Sequence, residues 1–515
     1  MEESGKRLKR SFLRIILGRT GFIALAIIAQ LILLVLYFKY LGEYSKTINF
    51  MLDVLSFCVL IHLINIDENP SYKIAWLLPV AIIPVFGAVL YLFLKLQPTV
   101  RLTNKTLRQN IAKSAPCLKQ SRDVRVAFEK EWKNARGFTH YMNKYAGYPV
   151  CANTEVKYYP LGDDFFPDLF AELEKAEEYI FMEYFIIDSG EIWDRVLRIL
   201  KKKAAKGVEV RLMYDGLCSI ANLPYSYPRT LAKYNIKCRI FNPVRPFLSS
   251  SQNNRDHRKI CVIDGRTAFT GGVNLADEYA NIIDRFGHWK DTALMLKGDA
   301  VNNLTMMFLQ MWHITDNISD YEKYMSPPQN IKADGFVLPY GDSPLDREPV
   351  GKTVYMHILN TAADYVHITT PYLILDYEME QCLISAAKRG VEVILILPHK
   401  PDKKYAFYLA HAHYPSLLKA GVKIYEYSPG FVHAKNYTSD DKKAVVGTIN
   451  MDFRSLYLHW ECACYMYKTP CVADIEQDFK NTLKQCRRID ESDLKNFSLF
   501  ERIISGFLKM IAPLM

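Results

Sequence analysis

The stretch HRKICVIDGRTAFTGGVN, residues 257–274, returns in outline as HAKNYTSDDKKAVVGTIN at residues 433–450. Both stretches follow one formula, H-x-K-x4-D-x6-G-x2-N. Two matches to a formula of this length are not expected by chance, so the chain contains an internal duplication. The fixed positions are His257, Lys259, Asp264, Gly271 and Asn274 in the first motif and His433, Lys435, Asp440, Gly447 and Asn450 in the second.

The duplication extends upstream of both motifs. The segment that starts at Tyr179, YIFMEYFIIDSGEIWDRVLRILKKKAAKGVEVRLMYD, runs parallel to the segment that starts at Tyr365, YVHITTPYLILDYEMEQCLISAAKRGVEVILILPHK. Each copy predicts an apolar strand, a helix of about four turns, a turn at Gly207 or Gly390, and a second apolar strand. Strand–helix–strand units favour a parallel or mixed sheet covered by helices. The sequence therefore predicts an α/β protein with two similar lobes.

The paired motifs predict a site for a phosphodiester. Histidine and lysine lie two residues apart in each motif, so on a strand both side chains project from the same face. Two lysines and two asparagine amides can neutralise the phosphate and stabilise its five-coordinate transition state. One neutral imidazole can attack phosphorus while the other, protonated, donates a proton to the departing oxygen. Because the lysines supply the positive charge, we expect no metal ion and no cofactor.

With these motifs the chain resembles the phospholipase D superfamily, which carries a duplicated HxKxxxxD pattern. The surrounding residues are similar to those of bacterial cardiolipin synthases in GGVNLADEYAN (271–281), FGHWKDTALMLKG (286–298) and GTINMDFRS (447–455). NPSYKIAWLLPVAIIPVFGAVLYL (69–92) and the terminal FLKMIAPLM are similar as well, so the resemblance covers Phe50 to Met515. It implies a phospholipase D-like α/β fold, with duplicated mixed sheets, flanking helices and one site at a pseudo-twofold interface.

The resemblance also implies a reaction. Two phosphatidylglycerol molecules would give cardiolipin and free glycerol through a phosphatidyl-histidine intermediate. The terminal hydroxyl of the second lipid would be deprotonated and displace the enzyme from the first. The expected partners are therefore phosphatidylglycerol, cardiolipin and the bilayer that holds them, and nucleic acid is not expected.

Roles for single residues follow from the same resemblance. His257 is the expected nucleophile, and His433 is the expected acid in the first step and base in the second. An acidic residue after each motif orients the histidine of the opposite lobe, which by position is Glu461 for His257 and Asp291 for His433. The motif aspartates, expected to brace the local strands rather than to touch phosphate, are Asp264 and Asp440.

Composition limits the partner and the compartment. A chain of 515 residues is too long for one ordinary core, so two or more structural units are expected. The net charge of +10 suits nucleic acid, lipid headgroups or a phosphorylated metabolite and does not choose among them. The eleven cysteines include no CxxC pair, and we interpret them as free thiols of a reducing compartment rather than disulfides or a zinc site.

The N-terminal region has the composition of a membrane segment. Residues 21–38 and 74–94 contain no charged side chain and are each long enough to cross the hydrocarbon layer as a helix. Residues 50–66 between them are apolar but carry Asp53 and His62, so whether this segment crosses the membrane is left open. No small-residue cleavage site follows the first span, so a cleaved signal peptide is not expected. We therefore predict a multi-pass protein of a bacterial cell membrane.

Basic residues flank this region on both sides, within residues 6–19 and within residues 95–119. If both flanks lie inside, the number of crossings is even, and one of the three segments does not fully cross. That segment is either 50–66 or 74–94, where two prolines and a glycine allow a re-entrant or kinked element. Three full crossings would place the large domain outside. We favour the cytoplasmic placement, which the free cysteines also favour.

The sequence divides into four parts. Residues 1–98 form the N-terminal membrane region, 99–150 a basic connecting region, 151–325 lobe 1 and 326–515 lobe 2. At the end of lobe 2, SLFERIISGFLKMIAPLM (498–515) has apolar residues at the three-and-four spacing of an amphipathic helix. This helix either packs on the catalytic body or lies in the headgroup layer and holds the site at the bilayer.

Other activities share the chemistry of the motifs. A phospholipase D hydrolase or a phosphatidylserine synthase differs only in the acceptor alcohol, and only the resemblance separates them from a cardiolipin synthase. A nuclease fits the positive charge but not the membrane segments, and a lipid-binding scaffold without activity does not fit two intact motifs. The motifs leave open the second donor or acceptor, the acyl preference, the oligomeric state and which histidine is the nucleophile.

Overall fold

The structure is a computed structural model, and its described residues are 46–95, 98–218, 222–244, 250–314, 320–329, 331–346 and 348–514, with five isolated positions between 28 and 40. The predicted span 21–38 and the N-terminal basic flank 6–19 lie outside the described residues, apart from those isolated positions. The helices that the structure describes are α1 Lys46–Asn65, α2 Pro70–Ile82, α3 Pro84–Lys95, α4 Pro98–Ser114, α5 Arg122–Glu131, α6 Ala135–Lys144, α7 Gly162–Lys175, α8 Glu191–Ala205, α9 Tyr227–Ala232, α10 Val301–Trp312, α11 Val350–Thr361, α12 Tyr377–Lys388, α13 Lys404–His411, α14 Tyr414–Lys419, α15 Cys471–Leu483 and α16 Leu499–Ile511.

A mixed sheet of seven strands forms the centre of the first lobe. Its strands are β1 Thr154–Tyr159, β2 Tyr179–Tyr184, β3 Glu209–Asp215, β4 Ile236–Phe241, β5 Lys259–Ile263, β6 Thr267–Gly271 and β8 Ala293–Gly298. Their order is β1-β8-β6-β5-β2-β3-β4, in which β2, β3 and β4 are parallel and the remaining pairs are antiparallel.

The second lobe is built around a sheet of eight strands. They are β9 Phe336–Asp342, β10 Tyr365–Thr369, β11 Glu392–Pro398, β12 Lys423–Tyr427, β14 Asn436–Ser439, β15 Lys443–Gly447, β16 Glu461–Tyr467 and β17 Cys486–Ile489. Their order is β17-β12-β11-β10-β14-β15-β16-β9, with β10, β11 and β12 parallel. Two short strands, β7 His288–Lys290 and β13 Gly430–Val432, pair with each other across the two lobes.

The two sheets repeat one topology. The parallel strands β2-β3-β4 correspond to β10-β11-β12, and the antiparallel run β5-β6-β8-β1 corresponds to β14-β15-β16-β9. In each lobe the helix after the first parallel strand ends before a glycine with positive φ, +91° at Gly207 and +90° at Gly390. The predicted two-lobed α/β fold is therefore confirmed, although α12 has 12 residues and is one turn shorter than expected.

A buried helix joins the lobes. Every residue of α10 except Asn302 is buried, because the helix lies between elements of both halves of the chain. Its Asn303 side chain donates to the carbonyl oxygens of Pro149 (3.1 Å) and Pro339 (3.0 Å), one from each half. The largest hydrophobic cluster therefore contains residues of both lobes, and α10 links them.

The region 99–150, which the sequence analysis treats as a basic connection, contains α4, α5 and α6. Phe128 of α5 and Phe138 of α6 are buried in the main core. The Trp132 ring stacks on Tyr467 of the second sheet, with centroids 5.4 Å apart. These amphipathic helices place their basic residues outward and pack as part of the catalytic body.

The apolar segment 74–94 is not one helix. A proline disfavours the α conformation in the residue before it, and Ile83, which precedes Pro84, has φ −131° and ψ 76°. The chain breaks there into α2 and α3, which pack against each other. A Cβ at Gly87 would lie 2.5 Å from the carbonyl oxygen of Pro79, so the close approach of the two helices requires glycine at this position.

In the part of the chain that the structure describes, no helix combines the length and the apolar character that crossing a bilayer needs. Residues 74–94 form parts of two helices instead of the single helix that was one expectation, so the kinked alternative is the one that forms. The segment 50–66 lies within α1 and packs with α2 and α3 through Val59, Leu63, Val80 and Tyr91.

Candidate active site

Both motif histidines lie where the two lobes meet. The backbone N–H of His257, just before β5, donates to the carbonyl oxygen of Trp460 in the second lobe (2.9 Å). The backbone N–H of His433, just after β13, donates to the carbonyl oxygen of Lys290 in the first lobe (2.7 Å). Each histidine is therefore held by the residue that precedes the acid expected to orient it.

Those acids contact the histidine rings. Nδ1 of His257 lies 3.0 Å from both carboxylate oxygens of Glu461, and Nδ1 of His433 lies 2.5 Å from Oδ2 of Asp291. Both acids are fully buried. A carboxylate that accepts a hydrogen bond from Nδ1–H keeps the proton of a neutral imidazole on Nδ1. The lone pair is then on Nε2. The structure thus places each acid on the histidine of the opposite lobe.

The motif lysines lie beside the histidines and are buried. Nζ of Lys259 donates to the carbonyl oxygen of His257 (2.5 Å), and Nζ of Lys435 donates to the carbonyl oxygen of His433. Burial lowers the pKa of Lys259 to about 8, against the attraction of Glu461, and lowers the pKa of Lys435 to about 7. A phosphate placed between the lysines stabilises their charged forms and raises both pKa values.

Burial also governs the other ionisable groups of the site. It lowers the pKa of His433 to about 4, with Lys435 acting in the same direction, and lowers the pKa of His257 well below its ordinary value. It raises the pKa of Glu461 to about 8, against the effect of Lys259, and positive charge that develops on the His257 ring lowers that pKa again and favours the carboxylate. Both imidazoles are therefore neutral near pH 7, and an anionic phosphate placed beside them raises the pKa of each.

The motif aspartates lie away from the histidines and brace the chain. Asp264 and Asp440 both have positive φ, +53° and +54°. Each carboxylate accepts backbone N–H bonds from three consecutive residues at distances of 2.8–3.1 Å: Glu177, Glu178 and Tyr179 for Asp264, and Ala363, Asp364 and Tyr365 for Asp440. Both sets precede or begin the first parallel strand of their lobe, so these acids hold strand ends.

The motif asparagines line the cavity beside the histidines but have different partners. Asn274 accepts the backbone N–H of Ile186 (2.9 Å) and donates to the hydroxyl of Tyr279 (2.7 Å). Its amide therefore mainly braces neighbouring chain. Asn450 interacts with Asp452, and its Oδ1 is buried without a hydrogen-bond partner among the described residues.

One cavity of about 500 Å³ reaches both histidines. Its polar part is also lined by four cations that lie outside the two motifs: Arg255, Arg285, Lys403 and Arg454. Of these, Arg255 is paired with Asp215 (3.6 Å). One apolar part of its lining consists of Ile374, Ala406, Leu409, Phe453 and Ala512. The cavity therefore offers a positively charged surface to a phosphate and an apolar surface to a hydrocarbon chain.

A third histidine, which no sequence motif indicates, lies in this site. His459 is buried and lines the cavity, and its ring centroid lies 5.7 Å from that of His257. Ligand atoms of His257, His459 and Glu461 lie within 4.8 Å of one another, and among the described residues this is the group that can hold a metal ion. An ion there would displace the proton between His257 and Glu461, so the expected absence of a metal stays a prediction.

Two lobes that share one site, with an HxK histidine backed by an acid of the opposite lobe, define a phospholipase D-like protein. A family-wide sequence profile described as "Cardiolipin synthase, PLD-like domain" matches residues 169–312 and 355–483. A second profile, "Phospholipase_D-nuclease N-terminal", matches residues 54–95. The chain belongs to the cardiolipin synthase family.

Similar proteins extend over most of the chain. A cardiolipin synthase of Alkalihalophilus pseudofirmus is 33% identical over 92% of this chain and 94% of its own. An uncharacterized protein of Streptococcus mutans is 48% identical over 88% of this chain and 99% of its own. The crystal structure of a phosphatidylserine synthase from Haemophilus influenzae matches with a TM-score of 0.55 and 13% identity over 70% of this chain and 95% of that one, which shows the shared fold.

Proposed function

We propose that the protein is a cardiolipin synthase that transfers a phosphatidyl group from one phosphatidylglycerol to a second and releases glycerol. One observation carries the proposal: a single cavity holds two histidines, and each is paired through Nδ1 with an acid of the opposite lobe. This arrangement supplies one nucleophile and one acid–base group to one phosphodiester. Membership of the family supports phosphatidylglycerol as donor and acceptor.

In the first step, Nε2 of His257 attacks phosphorus and forms a P–N bond. The bond from phosphorus to the headgroup glycerol breaks, and protonated His433 gives its proton to the departing oxygen. Glu461 stabilises the positive charge that develops on the His257 ring, and Lys259 and Lys435 stabilise the phosphate. The products of this step are free glycerol and phosphatidyl-His257, with His433 left neutral.

In the second step, neutral His433 removes the proton from the primary hydroxyl of a second phosphatidylglycerol. The oxygen attacks phosphorus, the P–N bond breaks, and cardiolipin leaves with His257 restored. The second lipid also carries a phosphate, and Arg285, Lys403 and Arg454 line the same cavity beyond the motif lysines. We assign the phosphate of the acceptor lipid to these three cations.

Apolar surface adjoins the cavity. The apolar part of the cavity lining forms one hydrophobic cluster with Tyr72 of α2 and Leu508 of α16. The opposite side of α16 exposes Phe500, Ile503 and Phe507, and α1 exposes Phe50 and Phe57. We infer that α1 and α16 lie in the headgroup layer of the cell membrane, on the cytoplasmic side, and hold the cavity where lipids enter.

The direct test of the function is incubation of the purified protein with labelled phosphatidylglycerol as the only lipid. We expect cardiolipin and free glycerol in equal amounts, with the same rate in the presence of EDTA because lysines supply the charge at phosphate. Phosphatidic acid as the main product would show a hydrolase instead. Loss of activity in EDTA that a divalent ion restores would show that the site requires a metal.

Replacing Phe500, Ile503 and Phe507 together with asparagine tests the membrane contact. These side chains are exposed, so we expect an unchanged melting temperature and unchanged activity on lipid in detergent micelles. Activity on phosphatidylglycerol vesicles should fall about tenfold or more, because apolar burial in the bilayer is lost.

The matched control for this triple variant is Val126→Asn, which removes an exposed apolar side chain from α5 on another part of the body. It should affect neither assay. Equal losses of the triple variant in micelles and vesicles, with a lowered melting temperature, would show that α16 is only a packing element. Deletion of residues 498–515 is a poorer test, because Ser505 and Ala512 within it are buried.

A further inference from the structure

His459 occupies a position that the proposed mechanism does not use. It follows the short π-helix Arg454–Leu458, and its backbone N–H donates to the carbonyl oxygen of Arg454 (2.9 Å). The side chain is 8% exposed and lines the cavity beside the His257 ring. The backbone therefore fixes this imidazole at the reacting centre.

Neither ring nitrogen of His459 has a hydrogen-bond partner among the described residues. The nearest acid, Glu461, lies 3.9 Å from Nδ1, too far for a hydrogen bond, and is already held by His257 and by the hydroxyl of Thr448. A buried polar group without a partner costs about 1–3 kcal/mol. A cavity-lining group in this state points to a ligand as its partner.

The ring of His459 limits the chemistry of its ligand. An imidazole can donate through one ring nitrogen and accept through the other, and both nitrogens of His459 lack a partner among the described residues. A ligand group that both accepts and donates therefore matches it. A cationic ligand is disfavoured, because Arg454, Lys259, Arg255 and Lys403 act on the same ring.

A second group in the cavity needs a donor from the ligand. Oδ1 of Asn450 is buried and without a partner among the described residues, and the interaction of the amide with Asp452 fixes its orientation. A phosphodiester has only acceptor oxygens and satisfies neither this atom nor the acceptor nitrogen of His459. A hydroxyl group donates and accepts, so the two free hydroxyls of a glycerol headgroup can serve one of these acceptors each.

We propose that His459 is a specificity-determining residue that hydrogen-bonds a hydroxyl of the glycerol headgroup of phosphatidylglycerol in the cavity. The proposal rests on the proposed function and names the part of the substrate that the motifs do not recognise. Because a site built to bind a hydroxyl rejects an analogue that lacks it, His459 favours phosphatidylglycerol over a lipid with an apolar alcohol headgroup.

Phosphatidylpropanol is the appropriate probe, since it has the charge of phosphatidylglycerol and a headgroup of similar size without free hydroxyls. The experiment measures kcat/KM for each lipid as the phosphatidyl donor, from release of labelled glycerol or propanol. Both assays contain the same concentration of unlabelled phosphatidylglycerol, which supplies the acceptor hydroxyl. We expect the wild type to prefer phosphatidylglycerol by about tenfold or more. His459→Phe should reduce this preference to near one, and His459→Asn, which keeps a donor and an acceptor, should retain most of it.

His357→Phe is the matched control, because His357 lies in α11 between Trp132 and Phe138, away from the cavity. It should leave the donor preference unchanged. A folded His459→Phe variant with the wild-type preference would overturn the proposal. Equal use of both donors by the wild type would also overturn it, whether or not the variant folds. Failure of the proposed function is a separate result, in which the wild type makes no cardiolipin from phosphatidylglycerol.

Discussion

His257→Ala reduces cardiolipin formation on the order of 10⁴-fold or more, because it removes the nitrogen that forms the P–N bond. His433→Ala reduces the rate by about 10²–10⁴-fold, since it removes proton transfer from both steps but leaves the nucleophile in place. The measurement is cardiolipin production by each purified variant from phosphatidylglycerol in detergent micelles, with the melting temperature recorded beside it.

The control for both variants is His140→Ala, which changes an exposed histidine of α6 and should keep wild-type activity. The predicted order of the two losses distinguishes the roles of the histidines. Undiminished activity of folded His257→Ala would contradict a mechanism through a phosphatidyl-His257 intermediate. A larger loss of activity for His433→Ala would point to His433 as the nucleophile.

Lys435→Met abolishes measurable transfer and at the same time stabilises the fold. Lys435 is fully buried, and burial lowers its pKa to about 7. Below pH 7 the lysine is charged in both the folded and the unfolded protein, so the whole cost of burying the cation is present. Each pKa unit corresponds to about 1.4 kcal/mol, and we expect the free energy of unfolding to rise by about 2–4 kcal/mol on replacement.

The pH dependence follows from the same shift. Between pH 7 and the ordinary lysine pKa of about 10.4, unfolded wild type binds a proton that the folded protein lacks, so wild-type stability rises with pH in this window. In Lys435→Met the free energy of unfolding no longer rises with pH through this group. Thermal unfolding at pH 6.5 and pH 9 measures both effects, with exposed Lys206→Met as the control. A lower melting temperature of Lys435→Met at pH 6.5 would contradict this account of the site.

The sequence predicted the fold where local pattern and duplication agreed. Both strand–helix–strand units formed, because apolar strands and a glycine after the helix specify them locally. The acids opposite the histidines could also be anticipated, since the resemblance supplies their positions after each motif. Glu461 and Asp291 lie against His257 and His433 in the structure.

Other features depend on contacts between segments distant in sequence. His459 carries no motif, and its place beside His257 follows from the meeting of the two lobes. The break at Ile83 was one of two alternatives, because hydropathy counts apolar residues and does not register that Pro84 restricts its neighbour. The segment 99–150 was predicted as a basic connection because its many basic residues dominate the composition. Its apolar helical face, which includes Phe128 and Phe138, was not recognised.

The most direct test of the central claim is the location of the covalent phosphate. Wild-type protein is mixed with phosphatidylglycerol labelled in its phosphate, quenched in base, in which phosphohistidine survives, and mapped by peptide mass spectrometry. We expect the label on His257 in the wild type and in His433→Ala, and no label in His257→Ala. Label on His433 in the wild type, or cardiolipin formation with no labelled histidine, would contradict the account.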